Sequence, residues 1–96
     1  MNLTINARHF EMTPAIEAYA RGKFEKMWGH FDVVSVQLRL STGDAGSKVA
    51  AADIHVKGDT IHIQERESDL YVAIDKLAHA THIALSKMKD RRSRPR

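Results

Sequence analysis

Hydrophobic periodicity constrains this chain more than any single motif. From Asn2 to Arg8, Leu3, Ile5 and Ala7 alternate with Asn2, Thr4, Asn6 and Arg8, the period-two pattern of a strand with one buried face. Val34, Val36, Leu38 and Leu40 repeat it against Ser35, Gln37 and Arg39, and Ala50, Ala52, Ile54 and Val56 supply a third buried face. The turn-prone run Thr42-Gly43-Asp44-Ala45-Gly46 separates these two strands. Ile61 and Ile63 continue the pattern on a fourth strand, after a tight turn expected at Gly58-Asp59.

The period switches to helical twice. Thr13 followed by Pro14 is a start signal, because the threonine oxygen can accept an orphan backbone N–H and proline fits the first turn. The helix is expected to run to about residue 30, with Ile16, Ala20, Phe24, Met27 and Phe31 facing the sheet and Trp28 at the margin. Ser68 is the expected cap of a second, longer helix, with Asp69 at its positive end and Leu70, Ile74, Leu77, Thr81, Leu85 and Met88 as its inward stripe. The order is β-α-β-β-β-α. It defines an α+β fold in which a four-stranded sheet carries two helices packed on one face and leaves the other face polar and exposed. A chain of 96 residues fits one domain, expected over residues 1–90, with a short basic tail over 91–96.

Several function classes fall away. Without cysteine there are no disulfides, thiolate zinc sites or cysteine nucleophiles. No stretch approaches the roughly 20 apolar residues of a transmembrane helix, and the opening MNLTINARHF lacks the apolar core of a signal peptide, so a cytoplasmic protein without membrane partners is expected. The serines fall at caps, turns or exposed strand positions, and TGDAGSK lacks the spacing and ending of a phosphate-binding loop. No catalytic constellation, cofactor or small-molecule substrate is therefore expected.

Charge is distributed unevenly. From Lys87 to Arg96 there are six basic residues and one acid, Asp90, whereas the rest of the chain carries nine basic and eleven acidic groups. A helix C-terminus is satisfied by one or two cations, so six exceed the structural need and point to phosphates. Tyr19, Lys23 and Lys26 line one flank of the first helix, an aromatic beside two cations, which suits a nucleic-acid surface as well as it suits lysines reaching for water. With a turn at Gly58-Asp59, His55 would stand opposite His62 on the exposed sheet face; two imidazoles are too few for a closed zinc site, and His79 and His82 have no evident carboxylate except Asp75. Val72 and Ile83 lie outside the core stripe of the last helix, as scattered surface aliphatics often do.

The segments FEKMWGHF (Phe24 to Phe31), DIHVKGDTIHI (Asp53 to Ile63) and SDLYVAIDKL (Ser68 to Leu77), in that order and spacing, resemble the short ribosome hibernation promoting factors, also called ribosome-associated inhibitors or sigma-54 modulation proteins. The resemblance covers nearly the whole chain and is most specific at Asp69-Leu70-Tyr71-x-Ala73-Ile74-Asp75. It implies a domain similar to double-stranded-RNA-binding domains, lodged in the small ribosomal subunit and its rRNA where messenger and transfer RNAs would bind. There it would block translation and protect idle ribosomes in stationary phase or stress. The matching RNA-binding positions are Lys23, Lys26, Lys87, Lys89, Arg91 and Arg92. Ala80 and Ile83 depart from the basic residues the family often has in mid-helix. The chain stops soon after the helix, so ribosome dimerisation would need a second factor. The competing readings are a general double-stranded-RNA module, a protein-interaction module directed at polymerase or sigma factor, and a small metal-dependent enzyme built on His55 and His62.

Overall fold

The alternating runs pair into one sheet. A computed structural model describes residues 2–27 and 31–93, the last two by backbone alone. Its elements are β1 (Asn2–Arg8), α1 (Pro14–Glu25), β2 (Val33–Thr42), β3 (Lys48–Val56), β4 (Asp59–Glu67) and α2 (Leu70–Ser93), the β-α-β-β-β-α order read from the sequence. The strand order is β1-β2-β3-β4, with β1 parallel to β2 and the remaining neighbours antiparallel. A parallel pair cannot be joined by a tight turn, and α1 supplies the crossover.

Register turns the alternation into two faces. Leu3, Val36, Ile54 and Ile61 form one inward row, and Ile5, Leu38, Ala52 and Ile63 form the next. Phe24 of α1 and Ile74, Leu77 and Leu85 of α2 cover them, and each large side chain so buried contributes about 1.5–3 kcal/mol. Ala50 and Ala52 on β3 and Ala73 on α2 are fully buried, small side chains that let the helix lie close to the strands. Thr81, the one polar side chain buried in this core among the described residues, donates its hydroxyl to the Leu77 carbonyl at 2.7 Å and so leaves no orphan.

Four local expectations are corrected. Val34 is 56% exposed, because the β2–β3 register shifts between Val33 and Ser35; this bulge gives β2 an extra residue and hands the inward position to Val33. The β3–β4 turn is Lys57-Gly58 rather than Gly58-Asp59. Gly58 sits at φ +82, the positive angle a type II turn needs at its second central position, and Asp59 already pairs with Val56. Helix α1 ends at Glu25, where a Met27 N–H bond to the Phe24 carbonyl (3.1 Å) tightens the last turn; Trp28 and His30 lie outside the described residues. Finally, the cap of α2 is Asp69 and not Ser68, since its Oδ1 accepts from the N–H groups of Tyr71 (2.8 Å) and Val72 (3.3 Å). Thr13 does cap α1, its Oγ1 accepting from Ile16 N–H at 3.2 Å.

Candidate nucleic-acid interface

Side chains four apart share a helix face, and two such pairs meet where α1 packs on α2: Tyr19 with Lys23, and Tyr71 with Asp75. The rings of Tyr19 and Tyr71 meet edge to face, centroids 4.9 Å apart. The Tyr19 hydroxyl donates to Asp75 Oδ1 at 2.5 Å, and Lys23 Nζ lies 3.1 Å from the same oxygen and 5.3 Å from the Tyr19 ring centroid. The Tyr19 bond and then Lys23 hold the Asp75 carboxyl below the usual carboxylate range, while Asp75 raises both the phenol and the ammonium. Lys23 is thus committed to a carboxylate of its own chain. Lys26, at the C-cap of α1, is exposed.

Contacts between the helices advance together, from Tyr19 against Tyr71, through Lys23 against Asp75, to Phe31 against His82. The helices therefore run in the same direction, but α1 ends at Glu25, level with the middle of α2, and α2 runs on about 20 Å farther to Ser93. Lys26 complements the negative end of α1, and Lys87, Lys89 and Arg91 that of α2. They do not form one cluster, however. Lys87 and Arg91, four apart and exposed, share one flank of α2; Lys89, two residues from each, points about 200° away and lies 5.9 Å from the Phe31 ring. The Arg92 side chain and residues 94–96 lie outside the described residues.

A furrow separates α1 from α2 on the Lys89 side. Lys23, Lys26, Asp75, His79 and His82 line one stretch; Phe31, His82, Ser86, Lys89 and Asp90 line the next. His82 meets Phe31 edge to face at 5.4 Å. Leaving the histidines as surface or RNA-meeting side chains rather than metal ligands does not locate this groove, although its signal is in the sequence: His79, His82, Ser86 and Lys89 recur at spacings of three, four and three.

On the opposite face of the sheet the expected pairing of His55 with His62 does not form. Asp53 stands opposite His62, accepts its Nδ1 at 2.6 Å and binds Arg39, while His55 lies 3.2 Å from Thr60 Oγ1. Arg39 first and His62 second lower the Asp53 carboxyl to about 2. Among the described residues no group of three or more acidic or imidazole side chains is arranged to hold a metal ion, and no helix is long and apolar enough to cross a membrane.

Two parallel helices on one sheet face, each with basic residues near its C-terminal end, define a small basic α+β domain. The chain belongs to the sigma 54 modulation protein / S30EA ribosomal protein family, whose model matches residues 3–93. A ribosome hibernation promoting factor of Klebsiella oxytoca is 32% identical over 91 residues, covering 95% of this chain and 96% of that protein. One of Acinetobacter guillouiae is 35% identical, covering 91% and 86%. Among solved structures, a ribosomal subunit interface protein from Coxiella burnetii superposes with a TM-score of 0.84 over 94% of this chain and 99% of its own, at 20% identity. The N-terminal domain of Thermus thermophilus Protein Y gives 0.82 over 92% and 99%, at 23% identity. At these identities the structures speak for the fold.

Proposed function

We propose that this protein is a ribosome hibernation factor that binds rRNA of the small subunit in the messenger and transfer RNA channel. It blocks translation by occupying that space, protects idle ribosomes in stationary phase or stress, and relies on another factor for any dimerisation of ribosomes. It acts in the cytoplasm, where ribosomes are, and carries out no chemistry. The observation that supports this most is the basic C-terminal end of α2, with Lys87, Lys89 and Arg91, on a chain whose residues 3–93 match a ribosomal-protein family. A channel walled by phosphates can be held by backbone charge and shape without reading sequence. Lys26, Lys87, Lys89, Arg91 and Arg92 are the proposed contacts, and Lys23 holds the two helices in register through Asp75 while bordering the same surface. Residues 1–90 form the binding body, and residues 91–96 add charge beyond it.

The test is co-sedimentation of the purified protein with small subunits across a salt series, with the channel empty or filled by messenger and transfer RNA. Binding should be excluded by the filled channel and should weaken steeply with salt, at roughly 0.7–0.9 in log–log slope per phosphate contact. Replacing Lys87, Lys89, Arg91 and Arg92 together by alanine should release the protein while leaving the fold intact. Equal binding to a plain RNA duplex would favour a general RNA module instead.

A further inference from the structure

Between Lys76 and Lys87 the only titratable residues on α2 are His79 and His82. The charge of the middle of this helix is therefore set by imidazoles, side chains that as a class gain charge between about pH 8 and pH 5. Both are exposed, and both open into the furrow between α1 and α2. We propose that this furrow is an RNA-phosphate subsite gripped by protonated His79 and His82, so that the protein's hold on RNA tightens as the pH falls below neutral. The proposal rests on the rRNA-binding reading above and adds to it a site and a regulation.

Three observations support it. The furrow has the right walls: α1 contributes Lys23 and Lys26, α2 contributes Lys89, and the segment before β2 contributes the Phe31 ring. Its charge is close to balance without the histidines, because Asp75 and Asp90 line it as well and Asp75 already holds Lys23. Two added positive charges turn this slight excess into a clearly positive furrow, where on a strongly basic surface they would add little. The rings are also suitably held. His82 is braced edge-on by Phe31, and His79, three residues earlier, lies on the adjoining turn, so two imidazolium N–H groups can reach neighbouring phosphate oxygens. Binding and protonation reinforce one another: each phosphate that enters favours the charged rings, and each charged ring favours the phosphate.

The test compares small-subunit binding at about pH 8 and about pH 6, at fixed ionic strength, for the wild type, the double variant His79→Gln/His82→Gln, and the sheet-face control His55→Gln/His62→Gln. The wild type and the control should tighten roughly three- to tenfold on acidification, as two partly solvated ion contacts allow. Their log–log salt slope should steepen by up to about 1.4–1.8, the increment of two further phosphates. The furrow variant should lose both changes. Circular dichroism of all three proteins shows whether a difference in fold is responsible. Retention of the acid response by the furrow variant, or no response in the wild type, overturns the subsite and leaves the ribosomal reading standing. Failure of the wild type to bind subunits at either pH overturns both.

Discussion

Tyr19 and Asp75, 56 residues apart in sequence, share a hydrogen bond of 2.5 Å that ties α1 to α2. Lys23 completes the clasp, and Tyr71 packs its ring against the donor. The family-like run Asp69-Leu70-Tyr71-x-Ala73-Ile74-Asp75 thereby acquires a physical content: its first residue caps α2, its tyrosine and last aspartate dock α1, and its alanine and isoleucine enter the core.

Asp75→Asn should lower stability at pH 7, and by progressively less as the pH falls below about 3.9. The folded carboxyl titrates below its unfolded value of about 3.9, so its contribution is present above that value and is lost as the pH falls through the folded one. Urea unfolding of variant and wild type over a pH series from 7 to 2 checks this; a gap that stays constant across the series would assign the loss to packing.

The two candidate caps of α2 predict different outcomes on truncation. Asp69→Ala should cost about 1 kcal/mol, because it strips the acceptor from two N–H groups at the helix start. Ser68→Ala should stay within the few tenths expected of an exposed position. Denaturant midpoints of the two variants give the comparison directly.

Glycine substitutions should act in opposite directions. Gly22 lies on the exposed side of α1 with open space where a Cβ would go, so Gly22→Ala should raise stability by about 0.4–1 kcal/mol. Gly58 holds φ +82 in the β3–β4 turn, and Gly58→Ala should lose about 1 kcal/mol or more to strain.

On the outer sheet face, Arg39→Gln should raise the Asp53 carboxyl from about 2 toward the ordinary range, Arg39 being the larger of its two stabilising partners. The wild-type Asp53 contribution should disappear between about pH 4 and pH 2, the window between the unfolded and folded values. Carbon-detected NMR titration of the aspartate carboxyls reads both effects.

What was legible in the sequence was whatever depends on local period. Leu70, Ile74, Leu77, Thr81, Leu85 and Met88 appear at helical spacing and do face the core, and Ala50, Ala52, Ile54 and Val56 are buried as their alternation demands. Where a local choice had two near-equal solutions, the reading slipped by one residue. Val33 and Val34 are both valines at a bulge; Ser68 and Asp69 are both good caps; Gly58 can be either the first or the second residue of a turn. The commitment of Lys23 to Asp75 could not be read at all, because no spacing rule links residues on separate helices. The same holds for the furrow, which exists only once α1 and α2 lie side by side.

β3 and β4 find their apolar cover in α2, which follows all four strands in the chain. During synthesis the strands can pair in register, yet the inward rows that include Ile54 and Ile61 remain wet until α2 has emerged. Folding is thus delayed to the end of this stretch of translation, and the basic end of α2 is made later still. Until the far end of α2 has been made, the strands are joined but the basic helix end is still missing.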